Sequence, residues 1–137
     1  MMQRITYREG YKYQLVADYR QQIWIVPAMR VQTSFLELGH DGMLTIRTGY
    51  AWDGASGPAI DTRNFMRGSL VHDALYQLMR EGHIGQHHRN AADRMLQRIC
   101  SEDGMSALRA WWVYQGVAWA GGPSASPDHD NPVLSAP

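Results

Sequence analysis

The fold of this chain is decided at residues 65–80, which read FMRGSLVHDALYQLMR. Mostly apolar residues recur there at intervals of three and four, the spacing of one face of an α-helix. That face comprises Phe65, Met66, Ser69, Leu70, Ala74, Leu78 and Met79. Gly82 follows soon after, as is common at helix ends. The pattern predicts a helix from Phe65 to Arg80 with one side facing a core.

Two further helices are predicted after this one. Residues 90–100 place four apolar side chains on a common side. These are Ala92, Met95, Leu96 and Ile99. The preceding connector, Ile84–His88, is short and polar, so the second helix must return antiparallel to the first. A third helix is predicted from Ser106 to Ala120, where the sequence GGP at 121–123 ends it.

The first fifty residues predict strands. β-Branched and aromatic residues alternate with polar ones in several runs, a pattern typical of half-buried strands. The runs are Tyr11–Val16, Ile23–Val26 ended by Pro27, Val31–Leu38 and Met43–Tyr50. Asp41-Gly42 separates the last two runs and indicates a hairpin, because both residues tolerate positive φ. The sequence therefore predicts an α+β fold, with an N-terminal antiparallel β-sheet of hairpins followed by three helices that include an antiparallel pair.

The length and composition indicate one domain and a tail. A chain of 137 residues can bury its own core. We expect a single α+β domain over residues 1–122 and a Pro- and Ser-rich C-terminal tail over residues 123–137. The composition of the tail does not support a packed core, so the tail either is flexible alone or orders on a partner surface. Cys100 is the only cysteine, which excludes an intrachain disulfide, and we expect a buried thiol.

Charge and targeting signals narrow the function classes. Thirteen basic and thirteen acidic residues give zero net charge, so no nucleic-acid partner is expected. The first residues, MMQRITYREG, lack the apolar segment of a secretion signal. Ala110–Ala120 is too short to span a bilayer. We expect the protein to be made in the cytoplasm of its host cell and to leave it only with a virus particle or by lysis.

The clearest candidate site combines two of the predicted helices. His72 and Tyr76 lie four residues apart and share a face of the first helix. On the antiparallel second helix, Asp93 is expected to meet His72. A carboxylate bonded to one imidazole nitrogen fixes the tautomer and raises the basicity of the other nitrogen. His72 is therefore a candidate general base that takes a proton from water.

A cation site is predicted beside this histidine. The loop from Tyr50 to Gly57 offers exposed carbonyl oxygens, and Asp73 offers a carboxylate. Calcium is the hard cation that fits such oxygens best, and Asp53 adds a further carboxylate. The ion would polarise an ester carbonyl, while N–H groups left uncovered at Gly54 and Gly57 would stabilise the oxyanion.

These motifs resemble an uncharacterised phage and prophage family, domain of unknown function 1353. The shared features are a DGAS-type loop at 53–56, an HDxLY helix at 72–76, an RxxAD helix at 89–93 and the YQGV of residues 114–117. The resemblance extends over roughly residues 40–122. It implies a bacteriophage or prophage origin and no particular activity.

A more distant resemblance is to phospholipases of the A-two class, particularly the small disulfide-free domain of parvovirus capsids. Those enzymes place a glycine-rich calcium loop before an HDxxY helix, and an antiparallel helix supplies an aspartate to the histidine. The resemblance implies that His72 is the base and that Tyr76 and Asp93 support it. It also implies that Asp73 binds calcium together with carbonyls of residues 50–57. The loop departs from that family because it lacks closely spaced glycines and adds a carboxylate at Asp53.

Three histidines after the first helix carry an alternative interpretation. They are His83, His87 and His88, and together with Asp93 they suggest a metal site. However, the adjacent His87 and His88 diverge in direction, and the sequence offers no cysteine partner beside them. We therefore expect an exposed polar connector.

The third predicted helix is crowded with aromatic residues. Trp111, Trp112, Tyr114 and Trp119 cover more than one of its faces. Core packing accounts for most of them. A belt facing lipid or a contact with another protein would account for the others.

Two functions of different classes are compatible with these observations. The first is a phage-encoded, calcium-dependent hydrolase of lipid esters that acts at a phospholipid surface of the host envelope. The second is a non-enzymatic component of the phage particle, at its tail or baseplate, in which the His72, Tyr76 and Asp93 network only holds helices together. In the second case the partners are other virion proteins, contacted through the C-terminal tail.

Overall fold

The computed structural model describes residue 5 and residues 7–8, 13–53 and 62–125. Within these ranges the chain forms two compact units, a strand unit that ends at Asp53 and a helical unit that begins at Thr62. Antiparallel sheets in the first and three helices in the second confirm the predicted α+β class. The predicted tail lies outside the described residues from residue 126 onwards, and a single domain over residues 1–122 stays a prediction.

The strand unit consists of short strands in two antiparallel sheets. The strands of the described ranges are β1 (Tyr7–Arg8), β2 (Tyr13–Leu15), β3 (Tyr19–Gln22), β4 (Val31–Gln32), β5 (Leu36–Leu38), β6 (Met43–Ile46) and β7 (Ala51–Trp52). One sheet has the order β1-β2-β7 and the other the order β3-β6-β5-β4. Buried side chains from both sheets fill the interior of the unit, among them Leu15, Trp52, Tyr19, Leu36, Leu38, Leu44 and Ile46.

The predicted hairpin at the Asp-Gly pair is confirmed. It joins β5 to β6, and the N–H of Gly42 donates to the Gly39 carbonyl at 3.0 Å. The N–H of Met43 donates to the Asp41 carboxylate at 3.0 Å. Of the Asp-Gly pair, Gly42 alone takes a positive φ, +78°, the region that glycine adopts most readily. The turn therefore uses one left-handed residue instead of two.

The strand predicted at Ile23–Val26 is wrong, although alternate residues of this run are buried as a strand would require. The strand of this region is β3, which pairs with β6 up to Gln22 opposite Met43. Beyond that pair β6 passes into the hairpin loop, so the ladder ends with the Ile23 N–H donating to the Gly42 carbonyl at 2.9 Å. An extended segment becomes a strand only beside another backbone, and residues 24–26 lie past the end of the partner strand β6.

Turns divide two of the longer predicted runs. Val31–Leu38 splits into β4 and β5, because Thr33 closes a turn: its N–H donates to the Leu36 carbonyl at 2.8 Å and its hydroxyl accepts from the Leu36 N–H at 3.0 Å. In the run Met43–Tyr50, only Met43–Ile46 forms β6. The rest is a turn in which the N–H of Tyr50 donates to the Arg47 carbonyl at 3.1 Å. Local hydrogen bonds of this kind compete with the ladder, and alternating polarity does not reveal them.

The polarity pattern also does not reveal a buried carboxylate on β5. Glu37 is 7% exposed and pairs with the guanidinium groups of both Arg30 and Arg47. The hydrogen bond from Arg30 is the largest cause that holds the pKa of Glu37 below its usual value, and burial opposes it. Arg47 also reaches Asp18 at 3.5 Å. Two cations thus keep a carboxylate ionised inside the strand unit.

The helical unit contains α1 (Arg63–Arg80), α2 (Arg89–Glu102) and α3 (Ala107–Ala125), with a short 3-10 turn at Gln86–His88 between the first two. The first helix ends at Arg80, as predicted. The end predicted for the third helix at Ala120 is wrong, since α3 continues to Ala125. A glycine costs about 1 kcal/mol relative to alanine in a helix and a proline removes one donor, so the GGP sequence weakens the last turns without preventing them.

The first two helices run antiparallel, as predicted, and a buried arginine joins them. Arg67, near the start of α1, is 3% exposed. Its Nε donates to the Asp103 carboxylate at 3.0 Å, and its terminal nitrogen donates to Glu102 at 2.9 Å. Both carboxylates lie at the end of α2, where the helix dipole disfavours negative charge. The guanidinium offsets that charge and fixes the relative direction of the two helices.

A close approach of α1 and α2 occurs at Gly68. A Cβ atom at this position would lie 2.8 Å from Leu96 Cδ1 and 2.9 Å from Cys100 Sγ. The same core is completed by α3, and its buried members are Phe65, Leu96, Cys100, Met105 and Ala110, with Val113 and Val117 packed against them. Burial raises the pKa of the Cys100 thiol to about 12. Cys100 is therefore a buried residue of the core, as expected.

Candidate functional site

α1 places His72 and Tyr76 on one face, because residues four apart on a helix lie one above the other. Their rings are 4.2 Å apart between centroids. Both residues belong to the buried side of the helix. The predicted pairing of these two side chains on one face is thus present.

α2 supplies the acceptor that joins them. Asp93 is 1% exposed, and its Oδ1 atom lies 2.7 Å from Nε2 of His72. The same oxygen accepts the hydroxyl of Tyr76 at 2.6 Å. The contact predicted between the two helices is therefore confirmed, and it is a buried three-residue network.

The chemistry of this network follows from its shared acceptor. A carboxylate without a proton can only accept, so Nε2 of His72 would then carry the hydrogen and Nδ1 of a neutral imidazole would keep its lone pair. Tyr76 remains a neutral phenol, since burial and the hydrogen bond to Asp93 both raise its pKa. The network leaves one nitrogen of the imidazole available as a base, and the His72 side chain keeps 10% of its surface exposed.

Asp73 lies beside the second imidazole nitrogen. Its Oδ1 atom is 4.0 Å from Nδ1 of His72, and the Asp73 side chain is 35% exposed. A carboxylate at this position faces the nitrogen that Asp93 does not use. The predicted catalytic base and the predicted metal ligand therefore share one end of the network.

The other predicted calcium ligands lie either in the strand unit or outside the described residues. Tyr50 and Asp53 belong to the strand unit, where the Tyr50 carbonyl accepts the N–H of Leu15 at 2.8 Å. Gly54 and Gly57 lie outside the described residues. Across the described ranges, no group of three or more His, Cys, Asp or Glu residues is arranged to hold a metal ion. Calcium binding stays a prediction.

The histidines of the connector are separate from this network. His83 and His87 are exposed, and the rings of His87 and His88 lie with centroids 4.0 Å apart and planes tilted by 40°. Partial burial is the main cause that lowers the pKa of His88, and the neighbouring His87 adds to it. These features agree with the exposed polar connector that the sequence predicts.

Two residues at the start of α2 take part in interactions that the motifs of the sequence do not assign. Arg89 precedes Asp93 by one helical turn, and its charge opposes the rise in the Tyr76 pKa. Asn90 donates to the hydroxyl of Tyr114 on α3 at 2.9 Å. The spacing of four between Arg89 and Asp93 is a sequence signal that the Arg89 charge lies on the same face of α2 as Asp93. The hydrogen bond between Asn90 and Tyr114 joins two motifs that are distant in the sequence, and no local pattern signals it.

The helices of the described ranges do not include one with the length and apolar character needed to cross a membrane.

A family model described as a protein of unknown function (DUF1353) matches residues 29–117. This match covers more than half of the chain, and the protein therefore belongs to that family. The family description assigns no activity. No curated protein and no solved structure matches the chain.

Proposed function

For this member of the DUF1353 family, we propose a hydrolase of phospholipid esters in which His72 is the general base. The observation that carries the proposal is the shared acceptor, because one oxygen of Asp93 binds both His72 and Tyr76 at 2.7 and 2.6 Å. This arrangement holds the imidazole in one tautomer and orientation. It leaves Nδ1 as the position that takes a proton.

In the proposed reaction, Nδ1 of His72 takes a proton from water while the water oxygen bonds to the ester carbonyl carbon. When the tetrahedral intermediate collapses, the bond from that carbon to the alcohol oxygen breaks. The proton held by His72 then passes to the leaving oxygen. The products are a fatty acid and a lysolipid, and His72 returns to its neutral form.

Asp93 and Tyr76 are positioning residues in this scheme. Asp93 stabilises the imidazolium that forms between the two proton transfers. Tyr76 donates to the same carboxylate and so holds it toward His72. Because the raised pKa of Tyr76 keeps its hydroxyl protonated, that donation persists at any pH at which the enzyme would work.

Asp73 is suited to hold a cation at the substrate side of His72. It has a carboxylate, the ligand that calcium prefers, and it lies 4.0 Å from Nδ1 of His72. A bound calcium ion would polarise the ester carbonyl and stabilise the oxyanion. The remaining oxygens would come from residues 50–57, as the sequence predicts.

Burial of the network favours a second candidate function, a structural role in a component of a phage particle. Asp93 and Tyr76 are 1% and 3% exposed. A fully bonded polar network in a core can hold two helices in one register without turnover. In this alternative, the C-terminal tail would contact a neighbouring particle protein.

The proposal is tested by measuring hydrolysis of mixed phospholipid vesicles, with and without calcium, by the native chain and by His72→Gln. His87→Gln, which changes an exposed histidine of the connector, is the matched control. We expect His72→Gln to lower the rate by about 100-fold or more, the usual contribution of a general base. We expect the His87→Gln control to retain the native rate. Chelation of calcium should lower the rate of the native chain.

Two results would contradict the enzyme. One is equal hydrolysis by the native chain and His72→Gln, and the other is no hydrolysis by the native chain at micromolar concentration. Loss of thermal stability in His72→Gln together with an inactive native chain is the result expected for the structural role. A circular dichroism melt of each variant therefore accompanies the assay.

A further inference from the structure

The outer face of α3 carries large apolar side chains that are open to solvent. Leu108, Trp111, Trp112 and Trp119 are 69, 48, 66 and 92% exposed. With 3.6 residues per turn, these positions fall within one stripe of the helix. Gln115, which is also exposed, occupies the remaining position of the stripe. We name these five residues the tryptophan face.

The opposite side of α3 attaches the helix to its unit. Ala110 is fully buried in the core, and Val113 and Val117 pack against the same cluster. Packing of the helix is therefore satisfied without the tryptophan face. An apolar stripe that a fold does not need for its core indicates an external ligand.

Basic side chains border the tryptophan face. On one side, Arg94 of α2 lies over the ring of Tyr114, 5.4 Å from its centroid. On the other side lies Arg109, which follows the first residue of the stripe. Residues 62–125 contain seven arginines and five carboxylates, and among the carboxylates Asp93 is buried. The helical unit that carries the face therefore has more basic than acidic residues.

We propose that the tryptophan face binds a lipid surface that contains anionic headgroups. Tryptophan side chains favour the interface of a bilayer, where the ring lies at the level of the headgroups. A helix with tryptophan and leucine on one side and arginine beside them lies in the plane of that interface. The inference rests on the proposed function, since the bound lipid would be the substrate of the His72 site.

The area of the face favours lipid over a second copy of the chain. An aromatic side chain buries about 150–250 Å² at most, so covering the tryptophan face would remove roughly 500–600 Å² from water. A stable protein interface buries about 800 Å² on each partner. The face is too small for a stable dimer by itself. A fluid lipid surface requires no complementary partner of fixed shape.

The test measures binding to vesicles of ether-linked phosphatidylglycerol and phosphatidylcholine by co-sedimentation and by the blue shift of tryptophan fluorescence. Ether-linked lipids have no ester to hydrolyse, so binding is measured apart from catalysis. Trp112→Ser/Trp119→Ser is compared with Trp24→Ser, which removes another exposed tryptophan from the strand unit. We expect the double variant to bind at least about tenfold more weakly and the control to bind like the native chain. Raising the salt concentration should weaken native binding.

Failure of this inference and failure of the proposed function give different results. Native binding to ether vesicles with no hydrolysis of ester vesicles contradicts only the enzyme. A second outcome is that the native chain hydrolyses ester vesicles while the double variant and the Trp24→Ser control bind ether vesicles equally well. This outcome overturns the assignment of the tryptophan face to lipid. A native dimer in sedimentation velocity that the double variant dissociates also overturns it, because a second copy would then cover the tryptophan face.

Discussion

Asp93 is the residue on which the candidate site depends. One of its oxygens holds two side chains of the neighbouring helix, His72 at 2.7 Å and Tyr76 at 2.6 Å. In a buried setting each of these hydrogen bonds matters more than in water, because an unpaired polar group there loses its hydration without compensation. Removal of the Tyr76 hydroxyl therefore tests how much its hydrogen bond to Asp93 contributes to stability.

Tyr76→Phe is expected to change stability at alkaline pH. The folded state holds the pKa of Tyr76 well above the value of about 10 for an unfolded tyrosine. The stabilisation is complete below about pH 10 and is lost as pH rises toward the folded pKa, at about 1.4 kcal/mol per pH unit from this one group. Urea unfolding at several pH values above 10 should show a shallower fall for the variant than for the native chain.

The same variant removes a donor to Asp93 and should lower the free energy of unfolding near neutral pH by about 1–3 kcal/mol. Identical slopes of stability against alkaline pH in the two proteins would contradict the burial of the phenol. Equal stability near neutral pH would contradict its bond to Asp93.

At the scale of elements, the network exists because α1 and α2 approach closely and run antiparallel. Gly68 allows the approach, since a side chain there would meet Leu96 and Cys100. Arg67 fixes the direction by pairing with Glu102 and Asp103 at the far end of α2. The short connector adds the third constraint.

Gly68→Ala is expected to destabilise the protein by about 1–2 kcal/mol. The added methyl group would lie 2.8 Å from a Leu96 methyl carbon and 3.3 Å from the Leu96 carbonyl oxygen, and overpacking of this kind usually costs about 1–3 kcal/mol. The gain in helix propensity, about 1 kcal/mol, offsets part of the loss. Urea unfolding followed by circular dichroism measures the net change.

Gly116→Ala is the matched control for this substitution. Gly116 is on α3, and a Cβ atom there would meet nothing within 4 Å. Only the gain in helix propensity from glycine to alanine remains, so Gly116→Ala should raise the free energy of unfolding by up to about 1 kcal/mol. A stabilised Gly68→Ala would show that the helices are not in close contact at this position.

At the scale of the whole molecule, the described residues form a strand unit with a paired charge inside it and a helical unit with a shared apolar core. The helical unit has two distinct polar features, the His72 network in its interior and the basic border of the tryptophan face. Cys100 lies where all three helices meet and is fully buried. Its thiol therefore reports on the packing of the entire helical unit.

Cys100 is expected to resist thiol reagents until the helical unit opens. Burial raises its pKa to about 12, so the reactive thiolate is scarce at roughly pH 8, and the sulfur has no access to the reagent. A disulfide reagent should label no thiol in the native chain and one thiol per chain in concentrated guanidinium chloride. Rapid labelling of the native chain, measured by mass spectrometry, would show that the three-helix core is open.

Features that depend on near neighbours in the chain are predictable from the sequence. Apolar spacing predicted α1 and α2, and the Asp-Gly pair predicted the hairpin after Leu38. The spacing of four placed His72 and Tyr76 on one face, and the short connector brought Asp93 to them. All of these follow from backbone geometry over a few residues.

Tertiary structure alone decided the features that depend on distant partners. Ile23–Val26 has the polarity of a strand but lies beyond its partner, and Glu37 is polar yet buried because two arginines reach it. The exposed tryptophans of α3 cannot be told from core residues by composition, since burial depends on which faces the other helices cover. Hydrogen-bonded ladders, ion pairs and burial each require a second segment, whose position a local pattern does not specify.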